Sequence, residues 1–466
     1  MQRRAAIPEV YQLLRQSVAM ARIVLAWLLL LFLAGCASYG SIANKPLVDN
    51  APSVEYSINH SLASTRSSDM TLVLAFSGGG TRAAALAYGV LAALRDTSVE
   101  LNGRSRRLLD EIDVISSVSG GSFTAAYYGL YGDGLFEDFA DDFLHRNVAG
   151  ELLYGLLKPT LWFSSTGRTE MATRFYESIL FQGATFADLE RRNGPLVIIN
   201  ATDLGSGVRF SFLQEYFDLL CSDLSSFPLA RAVTASSAVP VLFNPVVLKN
   251  HSGCEPSAGG LLGGLPEPGS AQLSLLVDGL RSYSDKERRR YIHLVDGGIT
   301  DNLGLLAFHD MIEVAGGVKD FLGRHGAKIS PRLMVVTVNA STTPEYRIEA
   351  TNEIPSLENI VNAVTDVQLH RGNTATLERS RESVKRWAAE LSTPDRKVEP
   401  YFVEIGFNSI PKKKRRFFFN QIPTGFSLGR DQVDDLIAVG RELLLGNSEF
   451  QRFLSDAKIY SGAVLR

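Results

Sequence analysis

VISSVSGGSF, residues 114–123, sets four serines beside two glycines, between a run that reads as a buried strand and one that reads as a helix. A serine nucleophile on a tight strand-to-helix turn needs small residues two before and two after it, because bulkier side chains collide where the chain reverses. Ser119 has Ser117 before it and Gly121 after it, with Gly120 directly following. Ser117 would need Ile115 in the tight position and Ser116 would need Val114, so both fail. Ser122 has Gly120 before it but Thr124 after it, and it falls inside the expected helix. Ser119 is therefore the candidate, reading S-V-S-G-G where the usual elbow is G-x-S-x-G. Ser117 departs from that pattern, since it carries a β-carbon where glycine takes positive φ at no cost. A polar turn without chemistry has the same composition, and both readings stand on this stretch alone.

The strand–glycine–helix order also occurs upstream. TLVLAF (71–76) is β-rich, SGGGTR (77–82) turns the chain, and AAALAYGVLAAL (83–94) is strongly helical. EIDVISS (111–117) and FTAAYYGLYG (123–132) repeat it around the serines. PLVIINATDL (195–204), VRFSFL (208–213) and RLMVVTVNA (332–340) read as further strands, and PLARAVTASSAVP (228–240) as a helix stopped by Pro240. RRYIHLVDGGITDNLG (289–304) gives a strand, a glycine turn and a helix start. Apolar strands alternating with helices predict an α/β fold whose mostly parallel central sheet is covered on both faces. Downstream, 354–391 is long and helical, KVEPYFVEIGF (397–407) is a late strand and RDQVDDLIAVGRELLLGN (430–447) a final helix. The stretch 251–274 is rich in Gly, Pro and Ser and reads as a surface loop.

Two more glycine turns bear on chemistry. SGGGTR at a helix start presents backbone N–H groups and the positive end of the helix dipole. A phosphate cradle and an oxyanion hole both use such donors. The phosphate-loop ending Gly-Lys-Ser/Thr is missing, and G-x-G-x-x-G breaks at Ala83. An oxyanion hole needs the donors alone. Arg82 braces the loop, holds an anionic group, or is a plain structural or surface arginine. In VDGGI (295–299), Asp296 ends an apolar strand, where open α/β sheets place their sites. It is either a base for the serine or a cap for the next turn.

GGGTR at 78–82, S-V-S-G-G around Ser119 and D-G-G at 296–298, in that order and with ASSAVPVLFNP at 235–245, resemble the patatin-like phospholipases. The resemblance runs from about Leu72 to His309. It implies a three-layer α/β fold and a lipid acyl hydrolase of phospholipase A or esterase type, with a Ser-Asp dyad at the strand ends. On that resemblance Ser119 is the nucleophile, Asp296 the base, and the amides of Gly79, Gly80 and Gly120 the oxyanion hole. No metal or cofactor is implied, because the amides polarise the carbonyl. Ser117 and Ala83 depart from the family pattern at positions that bear on rate and substrate fit. A serine hydroxyl needs a positioned base. Aspartate, with a reference pKa near 4, serves if a water-poor, lipid-accepting cleft raises that value. His293, three residues before Asp296, faces the other side of its strand and reads as packed. His309, His325 and His370 follow the nucleophile and leave a Ser…Asp…His order open.

The chain has 466 residues, with 47 Lys and Arg against 50 Asp and Glu, which gives no support to a nucleic-acid partner. Its 7 histidines and 3 cysteines offer few metal ligands. IVLAWLLLLFLAGC (23–36) is short of the roughly 20 apolar residues of a membrane span and has the size of a signal-peptide core. Leu33-Ala34-Gly35-Cys36 resembles the lipobox of bacterial lipoproteins, which implies acylation of Cys36. Ala37 after it resembles the outer-membrane address. Met20 gives a tidier signal start than Met1, and an uncleaved anchor helix is the alternative. Export would place Cys221 and Cys254 in an oxidising compartment, where an even pair is more often bridged than free; two buried thiols are the alternative.

The expected organisation is a signal peptide over 1–36, a flexible polar tether over 37–69, a catalytic domain over 70–312 and a C-terminal α/β extension over 313–466 that completes and covers the sheet. PKKKRRFFF (411–419) carries Lys412, Lys413, Lys414, Arg415 and Arg416 before three phenylalanines. Such a segment contacts anionic lipid or forms a solvated loop leading into a buried aromatic strand, and the loop is the expectation carried forward. The sequence thus points to a lipid-anchored serine acyl hydrolase of the bacterial envelope, with membrane lipid as substrate. Two rivals stand beside it: an idle lipoprotein that binds lipid or protein on the same fold, and a nucleotide-binding domain on SGGGTR, against which the missing P-loop lysine counts.

Overall fold

Strands without polar alternation need cover on both faces, and the apolar runs of this chain receive it. The computed structural model describes residues 40–47, 56–58, 69–101, 104–156, 167–240, 242–254, 270–343, 352–355 and 357–457, with single residues 20 and 261. Cys36 and the apolar run before it lie outside the described residues. Every element named below belongs to one compact unit, residues 40–158 and 168–466. Of the other unit, residues 1–39 and 159–167, only Met20 and Gly167 are described.

The central sheet has eight described strands. They are β1 (Thr71–Phe76), β2 (Ile112–Val118), β3 (Leu196–Asp203), β4 (Val208–Ser211), β5 (Val246–Lys249), β6 (Tyr291–Asp296), β7 (Arg332–Asn339) and β8 (Glu399–Gly406). Their order is β8-β7-β1-β2-β3-β6-β5, with β4 also pairing with β3. The strands from β8 to β3 run parallel. Strand β6 is antiparallel to both β3 and β5, and β4 is antiparallel to β3. The sheet is therefore mixed but mostly parallel. All eight residues of β3 are buried, as befits a central strand.

The register of β3 positions the site. Val118, the last residue of β2, pairs with Asn200. Asp296, the last residue of β6, pairs with Ala201. A parallel strand on one side and an antiparallel strand on the other thus end at consecutive residues of β3. The chain after β2 and the chain after β6 must turn away at the same place.

Helices cover the sheet. Each of the first two parallel strands feeds one directly: β1 leads into α1 (Gly80–Arg95) and β2 into α2 (Gly120–Tyr131). Nearly every residue of α1 is buried, because α7 (Arg430–Gly446) packs along it. Further helices used below are α3 (Leu229–Ser236), α4 (Leu306–Val314), α5 (Leu357–Leu391) and α6 (Lys413–Asn420). Residues 313–466 supply β7 and β8 as well as α7, so the sheet and its cover are shared between the two halves. No described helix is long and apolar enough to cross a membrane.

Four local expectations need correction. Within the supposed tether, residues 56–58 are buried, and 40–47, though mostly exposed, are tied to the domain around a buried Asn44. Lys45–Pro46 pairs with Ser222–Asp223, and Asn44 Nδ2 donates to Ser222 Oγ and Lys249 O. The Tyr56 hydroxyl accepts from Val197 N at 2.7 Å and donates to Val197 O at 3.1 Å. It stands in for a neighbouring strand at that residue, a role a polar tract does not advertise. The loop expected over 251–274 ends sooner, since a helix starts at Ala271 with Ser270 Oγ accepting from Leu273 N. Residues 255–260 and 262–269 of that loop lie outside the described residues. His293 is exposed instead of packed, because its strand has cover on one face only at that end. Finally, PKKKRRFFF is not a loop leading into a strand. It forms α6, whose helical period turns Phe419 inward and leaves Phe417 and Phe418 outside.

Candidate active site

Ser119 occupies the turn between β2 and α2 with φ 49° and ψ −121°. Positive φ is strained for a residue with a side chain, at about 1–3 kcal/mol, and persists only where the surroundings enforce it. Two bonds enforce it here. Ser119 N donates to Ser236 Oγ at 2.8 Å, and Ser119 O accepts from Ser122 N at 2.9 Å. The strained position is therefore Ser119 itself. Ser117 is an ordinary strand residue whose hydroxyl donates to Ile198 O, so its β-carbon meets no conformational penalty.

The glycines after Ser119 are fixed by proximity. A β-carbon on Gly120 would lie 2.0 Å from Gly80 O, and one on Gly121 would lie 2.7 Å from both Phe76 Cβ and Ser77 O. The first turn of α2 is thus pressed against the end of β1 and the glycine loop. Two helix N-termini meet at this contact. Neither α1 nor α2 has a side-chain cap or an acidic residue in its first turn. The amides of Gly79, Gly80 and Gly120 have no acceptor among the described residues. Uncapped donors and two unopposed dipoles converge beside Ser119, an arrangement that favours negative charge.

Asp296 completes the geometry. Ser119 Oγ donates to Asp296 Oδ2 at 2.8 Å, and Gly298 N donates to Oδ1 at 2.8 Å. Burial pushes the carboxyl up to about 6, against the two hydrogen bonds that pull it down. The backbone at this turn is pinned to the C-terminal end of α3 and the residues just beyond it: Gly297 N donates to Ser236 O and Asp296 N to Ala238 O. Asp296 does not cap the next turn alone; the same carboxylate also receives the serine.

Ser236 links the parts. Its hydroxyl accepts from Ser119 N, donates to Asn200 O at 2.6 Å and lies 3.0 Å from Ser122 Oγ. Since its one proton goes to Asn200, Ser122 must be the donor in the last contact. Ser122 is fully buried and serves as an internal brace. Residue types alone did not assign Ser236 a role, although it lies within the ASSAVPVLFNP motif. Asn302 was also missed. Its carbonyl accepts from Gly78 N, and its Nδ2 donates to Ser341 Oγ, tying the glycine loop to the residues after β7.

Arg82 is neither on the surface nor free for an anion. It is 3% exposed, and its guanidinium donates to Ala340 O, Ile422 O and Thr424 Oγ1 at 2.8, 2.5 and 2.8 Å. It braces a C-terminal segment that also supplies Gly425 O to Thr81 N. The contacts of the Asp296 carboxylate are to Ser119 Oγ and Gly298 N, and the histidines left open make theirs elsewhere. His309 Nδ1 lies 3.3 Å from Asp310 Oδ1, His325 packs on Phe321, and His370 sits within α5. Cys221 and Cys254 form a disulfide. Lys412 to Arg416 lie on α6 and its N-cap, apart from this constellation in sequence.

The family model for patatin-like phospholipase matches residues 74–309. The chain belongs to the patatin-like phospholipase family. That membership supports a lipid ester hydrolase. No curated protein matches the chain. Among solved structures, human GIVD cytosolic phospholipase A2 matches at 13% identity and a TM-score of 0.41, covering 91% of this chain and 68% of that one. Its complex with methyl gamma-linolenyl fluorophosphonate matches at 14% identity and a TM-score of 0.39, covering 91% and 66%.

Proposed function

We propose that this patatin-like phospholipase cleaves carboxylic esters of membrane lipids through an acyl-serine intermediate, with Ser119 as nucleophile and Asp296 as base. The observation that carries the proposal is the 2.8 Å hydrogen bond from Ser119 Oγ to a buried Asp296, made from a turn strained at the serine. A base works best when its pKa lies near the working pH, and a carboxyl raised to about 6 is mostly ionised at neutrality.

The steps follow from the contacts. Asp296 Oδ2 takes the Ser119 proton as Oγ attacks the ester carbonyl. The carbonyl oxygen becomes an oxyanion, held by the amides of Gly79, Gly80 and Gly120. Each such donor contributes about 3–4 kcal/mol in the transition state. Asp296 then passes its proton to the departing alcohol, leaving the acyl group on Ser119. In the second half Asp296 takes a proton from water, whose oxygen attacks the acyl carbon, and returns it to Ser119 Oγ as the carboxylic acid leaves. The turns that hold Asp296 also carry Ile299 and Leu242, which are 54% and 55% exposed. Apolar side chains at such positions suit acyl chains. The lipobox-like segment supports attachment to a bacterial membrane through acylated Cys36, with the outer membrane as the address.

The test compares phospholipid hydrolysis by the wild type, Ser119→Ala and Ser122→Ala. Ser119→Ala is expected to abolish acyl transfer, while Ser122→Ala retains it. Turnover that survives Ser119→Ala would refute the assignment.

A further inference from the structure

We propose that α6 and its N-cap residue form a docking surface for an anionic lipid bilayer, set next to the oxyanion loop. The inference rests on the lipid-hydrolase reading for the nature of the surface met. Helical periodicity places Lys413, Phe417, Lys414 and Phe418 within an arc of about 140°. That arc faces outward: Lys413 and Lys414 are exposed, and Phe417 and Phe418 are 58% and 40% exposed. Lys412, the N-cap residue, is exposed beside them. None of the three lysines has a partner among the described residues. The other two cations are used internally, with Arg415 pairing with Glu442 at 2.6 Å and Arg416 donating to Asn408 O. The helix thus divides its charge, two arginines toward the protein and three lysines toward solvent.

Interleaved cations and large apolar rings on one helix face suit the headgroup boundary, where lysines meet lipid phosphates and rings enter the acyl region. Position favours a bilayer over an acidic protein. Ile422, four residues beyond Phe418, accepts from Arg82, and Gly425 accepts from Thr81. Four residues of chain reach at most about 14 Å, so a bilayer touching Phe418 lies close to the loop that would receive the ester carbonyl.

The experiment uses the full chain with vesicles of phosphatidylcholine alone or mixed with phosphatidylglycerol, at low and high salt. Phe417→Trp reports insertion through quenching by brominated phosphatidylcholine, read as the difference from the wild type. Quenching is expected with the mixed vesicles and should fall at high salt, where surface attraction is screened. Each lysine near an anionic surface is worth about fivefold in affinity, so Lys412→Gln, Lys413→Gln and Lys414→Gln together should lower the preference for mixed vesicles by on the order of a hundredfold. Circular dichroism and the unfolding midpoint verify that the variants are folded. Absence of quenching, or a folded triple variant that keeps the wild-type preference, would overturn the proposal. Wild-type turnover of a soluble short-chain ester, measured without vesicles, reports the hydrolase separately. An active enzyme that fails the quenching test loses only the docking surface.

Discussion

Asp296→Asn should cost activity while making the fold less sensitive to pH. The carboxyl rises from 3.8 to about 6 because burial disfavours its charge. At about 1.36 kcal/mol per pKa unit, ionising it in the folded protein costs about 3 kcal/mol. The sign follows from linkage. A folded-state pKa above the unfolded one contributes stability that is complete below pH 3.8 and lost as pH rises through 6. For these values the loss is partial at pH 5 and reaches about 3 kcal/mol at pH 8. Asparagine carries no such charge. It can present its oxygen to Gly298 N–H and its amide to Ser119 Oγ, so both contacts survive. Relative to the wild type, the variant should therefore gain about 1–2 kcal/mol between pH 5 and pH 8. For a folded unit of roughly 400 residues that is about 2 °C in Tm. Asp301, also raised to about 6 by burial, is present in both proteins and cancels. Differential scanning fluorimetry across this pH range provides the measurement. Turnover should fall by about 10²–10⁴-fold through loss of the base. A Tm difference that stays flat from pH 5 to pH 8, or moves against the variant, would refute the desolvated-base argument.

Two further perturbations separate the parts of the site. Ser236→Ala leaves the Ser119 amide without its acceptor, which should destabilise the fold by about 1–3 kcal/mol and lower kcat, while the acid limb of the pH profile stays near 6; chemical denaturation and initial rates check both. Gly120→Ala places a methyl group 2.0 Å from Gly80 O, and the resulting displacement should cost at least about a hundredfold in kcat/KM. Ser117→Gly is the contrasting case: the rate should hold within about twofold while stability drops by about 1 kcal/mol from added backbone freedom in a strand.

What the sequence disclosed depended on distance along the chain. The strands around Leu72, Ile115 and Val335 were legible because burial on both faces writes itself as uninterrupted apolar residues. Ser119 was legible because a tight turn demands small neighbours. The strained residue was misplaced by two positions, since the elbow pattern does not tell which residue carries the positive φ. The pairing of Val118 with Asn200 and Asp296 with Ala201 was not legible, because it depends on β6 running antiparallel to β3. Contacts such as Ser119 with Ser236, or Arg82 with Ile422, join residues far apart in sequence and leave no local trace. The helical character of KKKRRFFF was overlooked because its aromatic run was read as a strand, although only Phe419 points inward.

The central claim is that Ser119 is the acyl-accepting nucleophile. The most direct test is to react the full chain with a lipid-like fluorophosphonate, digest it and locate the covalent adduct by mass spectrometry. The account predicts one phosphonylated site, at Ser119, with adduct formation slowing as pH falls below about 6 and no adduct in Ser119→Ala. An adduct on Ser122 or another residue, or a folded wild type that remains unlabelled, would contradict it.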